Sequence, residues 1–344
     1  MRRPTRCSAQ RRDSPTSCEM YITEETLDDL LRAVLSKLLK SRNRIQPTKG
    51  SATELTGVLL KITKPRARLS QTEMKGTLFS CLGELLWYLA KTNKLGFISY
   101  YLKSYKKYSD DGKTLYGGYG PRMFNMRGKN QVANVIARLR KKPYSRQAVI
   151  QLFDASDIVK EHKDVPCTCS MQFMIRRRRL HMFIYMRSND AFLGLPHDVF
   201  AFTMLQEIIA RSLGVALGTY NHAVGSLHLY KKDRHDARQY LNEGWQPTTT
   251  MPPMPAASPW SSIRRVVIAE RAIRCGRKIN ISELRLDGYW SDLVRLLQIY
   301  WHFKKKEGNQ IARLKSKMSV RLYDPYIEGK RKTADRQTVK THPT

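Results

Sequence analysis

No stretch of this 344-residue chain approaches the roughly 18 to 20 consecutive apolar residues that a membrane helix requires, so a helical span is not expected. Residues 1–18 are basic and polar with no apolar core, which excludes a secretory signal as their reading. Cysteine is sparse. The six thiols, at positions 7, 18, 81, 167, 169 and 275, make no regular disulfide framework, so reduced thiols in a cytoplasm are expected. Acidic residues are scarce as well: 29 Asp and Glu face 62 Lys and Arg, a net charge of +33. Residues 1–20 and 328–344 carry a net +3 each, so +27 belongs to the body of the chain. Such a field attracts nucleotide phosphates and other anions and supports nonspecific nucleic-acid contact. The charge is not gathered into a reader motif, and there is no aromatic-studded RNA-binding signature and no internal repeat.

Hydrophobic content of 41% is enough for a substantial core. Apolar residues at 27, 30, 31, 34, 35 and 38 predict an amphipathic helix over 24–39. Further helices are expected over 78–90, 130–141, 199–213, 263–274 and 289–303, and strands over 55–62 and 148–153. Two β-prone runs, 171–175 and 181–186, flank Arg176-Arg177-Arg178-Arg179 and predict a hairpin. Four arginines in a row suit a solvated turn better than a phosphate site. Residues 109–123 read as a glycine-rich functional loop, and 247–260, with five prolines, as a stiff linker. The domain reading is a basic arm (1–20), a catalytic domain (21–246), a linker (247–260), a helical C-terminal extension (261–327) and a basic tail (328–344).

The most informative stretch opens with Val165-Pro166-Cys167-Thr168-Cys169. It continues through Arg187-Ser188-Asn189-Asp190-Ala191-Phe192-Leu193-Gly194-Leu195-Pro196-His197-Asp198 and closes on His228-Leu229-Tyr230. Taken alone, Cys167 and Cys169 are a bare C-x-C, a buried structural thiol or a metal ligand. The ordered set, joined by Gly83-Glu84-Leu85-Leu86-Trp87 upstream, resembles thymidylate synthase and its relative deoxycytidylate hydroxymethylase.

The resemblance implies an α/β (α+β) fold, a curved mixed sheet backed by helices, in a homodimer formed through the sheet. It implies a transferase that moves a one-carbon unit from 5,10-methylenetetrahydrofolate to C5 of a pyrimidine nucleotide monophosphate, with no metal. On this resemblance Cys167 is the nucleophile that adds to C6, a chemistry that calls for a thiol of lowered pKa. Glu84 organises proton transfer and Tyr119 lines the cysteine's surroundings. Arg187 and Ser188 hold the phosphate, together with Arg146 donated by the partner subunit; Gln147 stands where the family has a second arginine. Asp190 contacts folate, and His228 and Tyr230 grip the sugar. A further phosphate ligand belongs to the 41–53 loop, where Arg44 and Lys49 both stand. Thr168 and His197 occupy positions where the family has His and Phe.

Asp198 stands where thymidylate synthases have Asn. A carboxylic acid that shares a proton with N3 and accepts from the 4-amino group suits cytosine. Two readings stay open for it: base recognition, and a cap on the helix that follows. The expected function is therefore a hydroxymethylase of cytosine nucleotides. A conventional synthase acting on deoxyuridylate, and a basic nucleic-acid-binding protein without turnover, are the alternatives.

Overall fold

The computed structural model describes residues 20–331. The arm expected at 1–20 and the tail at 328–344 lie outside the described residues except for residue 20 and residues 328–331. Seven strands make one mixed sheet: β1 (Tyr21–Glu24), β2 (Arg44–Ile45), β3 (Ala52–Ile62), β4 (Val149–Gln151), β5 (Thr168–Arg176), β6 (Arg179–Asp190) and β7 (Ala216–Tyr230). Their order is β1-β3-β7-β6-β5-β4, with β2 pairing only with β3. The β1–β3 and β6–β7 pairs are parallel and the others antiparallel. The helices are α1 (Leu27–Lys40), α2 (Leu78–Leu89), α3 (Leu95–Tyr101), α4 (Tyr119–Asn125), α5 (Gln131–Lys141), α6 (Gly194–Leu213), α7 (Arg234–Asn242), α8 (Trp260–Arg274), α9 (Gly288–Lys305) and α10 (Gly308–Ser316). This is the mixed sheet backed by helices that the resemblance implies.

Local chemistry accounts for the elements. Thr26 caps α1 by accepting the Asp29 N–H, and Leu27, Leu30, Leu31, Val34, Leu35 and Leu38 bury one stripe of that helix. In β5 and β6 alternate residues (Met171, Phe173, Ile175; Leu180, Met182, Ile184, Met186) are buried under the helices. The hairpin between them turns at Arg177 and Arg178, both at positive φ and exposed, which is the solvated turn expected of the arginine run. α6 ends on Gly214 in the left-handed region.

Six elements differ from the sequence reading. The glycine-rich segment does not stay a loop to residue 123, because its last residues open α4 at Tyr119. The helix expected from residue 24 begins at Leu27, since Tyr21–Glu24 pairs with β3 instead. Short helices α3, α7 and α10, of seven, nine and nine residues, span too few turns to show a period. The 15-residue β7 is the largest omission. Gly218, Asn221, His222, Gly225 and Ser226 give it weak strand propensity, and partners on both sides supply the stabilisation instead.

Residues 247–260 hold no helix or strand until Trp260, yet Met251 and Met254 are buried. The Met251 N–H donates to the Arg66 carbonyl (2.9 Å) and the Met254 N–H to Glu207 Oε1 (3.0 Å). Beyond them α8 and α9 lie against α2: Tyr101 donates to Glu270 (2.8 Å), and the Tyr300 ring stacks on Phe79 and Tyr101. Glu207, on α6, also accepts from Arg68 at 2.6 Å in a fully buried ion pair. Removing one partner of such a pair strands the other charge. Glu207→Ala is therefore expected to lower unfolding free energy by about 3–5 kcal/mol in a denaturant titration. A loss under ~1 kcal/mol would mean that Arg68 finds another partner.

Candidate active site

Three strand ends and the start of one helix assemble the site. The Arg187 N–H donates to the Cys167 carbonyl at 2.8 Å, tying the approach to β5 to the end of β6. The parallel β6–β7 register sets Ser188 opposite Ser226 and Asp190 opposite His228. The Ala191 N–H then donates to the His228 carbonyl, so the chain leaves β6 toward α6 at a fixed point. Tyr230 closes β7, with its ring edge-on to His228 at 4.9 Å between centroids. Cys167, Arg187, Ser188, Asp190, His228 and Tyr230 thus gather at one end of the sheet.

Cys167 is partly exposed. The Arg187 guanidinium is clasped to the chain just before it, with Nε donating to the Pro166 carbonyl and Nη2 to the Val165 carbonyl, both at 3.0 Å. Burial raises the Cys167 thiol above its ordinary pKa, Arg187 and Lys49 pull it down, and Asp198 and Asp164 push it up. The net effect is upward. The lowered pKa expected of the nucleophile is therefore absent in the free protein, because desolvation outweighs the two cations. Tyr119 sits beside the thiol, its hydroxyl accepting the Thr168 N–H (3.0 Å). Burial, Cys167 and Asp198 hold its phenol well above the usual value.

Glu84 is buried on α2 and accepts from two phenols, Tyr88 at 3.0 Å and Tyr105 at 2.5 Å. Burial and the nearby Glu84 charge push Asp198 up to about 8. One oxygen of Asp198 accepts from the Asn189 amide (2.7 Å), which lowers its pKa in part. Asp198 stands a full turn inside α6, so it does not cap that helix. Asp190 holds the entry instead, with Oδ1 accepting from the Phe192 and Leu193 N–H groups at 2.9 and 3.0 Å. Asn189 was not singled out from the sequence. Its Oδ1 is buried without a hydrogen bond, and only its position between the Arg-Ser pair and Asp190 hinted at a role. His197 is tied at both ring nitrogens, to the Leu193 carbonyl and Ser80 Oγ.

His228 is buried, and burial lowers its pKa despite the nearby Asp190 carboxylate. Tyr230 is pushed up to about 12 by burial and by Asp190. His222 is a buried neutral imidazole bonded to the Tyr220 hydroxyl at 2.8 Å. In the 41–53 loop the positive charge of Lys49 acts on Cys167, Asp164 and His228, whereas Arg44 stands on β2 and acts on Arg234. Arg146 is the residue that the chain does not bring in. Its carbonyl accepts from Gln172 (2.8 Å), five residues along β5 from Cys167 and so roughly 15 Å away.

Known proteins share this fold. The thymidylate synthase family model matches residues 25–274. Relatives include the deoxyuridylate hydroxymethyltransferase of Delftia phage PhiW-14, 32% identical over 53% of this chain and 54% of that protein. The deoxyuridylate hydroxymethyltransferase of Bacillus phage SP01 is 29% identical over 58% of this chain and 56% of its own length. The Pseudomonas phage M6 protein of the same description is 33% identical over 45% of each chain. The chain thus spans about half the length of the curated relatives it matches. Thymidylate synthase from T4 phage superposes with a TM-score of 0.54 at 20% identity, covering 63% of this chain and 81% of that one, a likeness of fold. The chain belongs to the thymidylate synthase family.

Proposed function

We propose that this protein is a folate-dependent hydroxymethyltransferase acting at C5 of a pyrimidine nucleotide 5′-monophosphate, with a cytosine nucleotide as substrate. The observation that carries the reading is the convergence of Cys167, Tyr119, Glu84 and a neutral Asp198 at the strand ends where Arg187 and Lys49 supply positive charge. Arg187 and Ser188, with Lys49, take the phosphate. His228 and Tyr230 take the sugar hydroxyl. The Cys167 sulfur adds to C6, and its proton leaves as Arg187 and Lys49 stabilise the thiolate. Addition at C6 of cytosine sends negative charge onto C5 and, through C4, onto N3, which makes C5 a nucleophile; elimination of the Cys167 sulfur from C6 later frees the product. Loss of the C5 proton and ordering of water are the roles that this reading gives to Tyr119 and the hydrogen-bonded Glu84–Tyr88–Tyr105 cluster.

Asp190 fits the folate expected by resemblance. Its Oδ2 makes no hydrogen bond among the described residues, leaving an acceptor of the kind that a pterin amino edge needs. Methylenetetrahydrofolate, when bound, supplies the one-carbon unit. The position of Arg146, away from its own chain's Cys167, supports donation across a homodimer. Four described cysteines are unpaired, in keeping with a cytoplasmic setting.

A neutral Asp198 donates to cytosine N3 while its other oxygen accepts from the 4-amino group. The curated relatives favour a second reading, uracil, because a neutral carboxyl can also donate to O4 and accept from N3–H. Tritium release from C5 separates the two. Release is expected from deoxycytidylate, and release from deoxyuridylate alone would overturn the cytosine assignment. Cys167→Ala should abolish release from either nucleotide, and surviving turnover would remove it as nucleophile. Asp198→Asn should reverse base preference by a factor on the order of 10⁴ in relative kcat/KM. A pH test follows from the carboxyl near 8: its binding-competent form is the protonated one. Deoxycytidylate should bind the Cys167→Ala protein equally well between pH 7 and 7.5, then weaken about tenfold per unit above pH 8. Affinity unchanged to pH 9.5 would show that the carboxyl does not donate.

A further inference from the structure

One cavity is lined by none of the residues of the catalytic cluster. It is a cleft of about 1370 Å³ between the end of α8, the 276–286 connection, α9 and α10. Only Ile273 of its lining falls within the residues that the family model matches. Its wall carries Arg277, Lys278, Lys306, Arg313 and Lys317, all exposed, and none of the five makes a salt bridge among the described residues. The sixth cation, Arg295, is paired with Asp292 at 2.7 Å. Glu307 is the one carboxylate on the wall, and it accepts from His302 at 2.5 Å.

Two further features shape the cleft. The first turn of α10 (Gly308, Asn309, Gln310) lines it, and this nine-residue helix has no side-chain cap. Its first N–H groups and its dipole therefore add to the positive field. The half-buried Trp301 ring also lines the cleft, with Lys305 over its face at 5.6 Å. The cleft is too large for a single phosphate, and its cations are spread along a wall that includes an aromatic ring. Repeated phosphates joined to flat bases satisfy all of these at once.

We propose that this C-terminal cleft binds single-stranded nucleic acid, with the five cations and the α10 N-terminus on the phosphates and Trp301 against a base. The site is separate from the nucleotide site and does not depend on its substrate. Each phosphate neutralised on a single strand contributes about 0.7 to the slope of log affinity against log salt.

The full chain is titrated into labelled 20-residue oligothymidylate, the matching oligouridylate, a duplex of equal length and inorganic polyphosphate, from 50 to 200 mM salt. The triple variant Lys278→Ala, Arg313→Ala, Lys317→Ala is compared with Arg138→Ala, Lys141→Ala, Lys142→Ala, which removes equal charge from exposed positions at the end of α5. The cleft variant should lose about tenfold or more in single-strand affinity and about 2 in salt slope, while the α5 variant changes less than threefold. Equal losses in the two variants would overturn the proposal, because the general field of the protein would then be the binder. Trp301→Ala should weaken both oligonucleotides and leave polyphosphate unaffected; equal weakening of polyphosphate would show a bare polyanion site. Tighter binding of duplex than of either single strand would also refute the assignment. Unchanged C5 tritium release and melting temperature in the cleft variant keep this result apart from any failure of the catalytic reading or of folding.

Discussion

The parallel pairing of β6 with β7 is the constraint on which the site depends. It places Ser188 beside Ser226 and Asp190 beside His228, groups that lie about 40 residues apart in sequence. Because side chains alternate across a sheet, a slip of one residue would turn every one of these groups to the opposite face. The register is held by the core on one side: Met182, Ile184 and Met186 of β6, and Tyr220 and Val224 of β7, are buried. Site geometry and core packing are therefore one requirement, and neither can drift without the other.

Within that frame the electrostatics favour neutral groups. Cys167 is held as a thiol, Asp198 is raised to about 8 and His228 is lowered, each chiefly by desolvation. The positive charge of Arg187 and Lys49 is not enough to reverse this for the sulfur. The Cys167 thiol is thus held protonated in the free protein. Asn189 adds a geometric control, since its amide occupies one Asp198 oxygen and so directs the other.

Much of this was legible from residue order. Cys167, Glu84, Tyr119, Asp190 and the two pairs at 187–188 and 228–230 are picked out by their order and by the family resemblance it carries, and the strand ends bring Cys167, Asp190 and the two pairs to one end of the sheet. What was not legible depends on tertiary context. The polarity of β7 hid a strand that two neighbours stabilise. Asp190 accepts from N–H groups of the turn that precedes α6, Asp198 stands inside the helix, and α6 carries no side-chain cap, an arrangement that composition cannot register. The preference for Lys49 over Arg44 depends on where a short antiparallel pair, β2 with β3, turns the loop. The upward shift of the Cys167 thiol could not be read at all, since burial is a property of the whole fold.

The sheet ends in very short strands. β4 has three residues at one margin, and β1 and β2 have four and two at the other. Exposed backbone groups at a sheet margin are templates for adding strands from other molecules, and brevity is one defence against that. A chain with +33 charges also repels its own copies. Uncontrolled growth of the sheet by edge-to-edge addition is thus opposed both by the lack of template and by the charge.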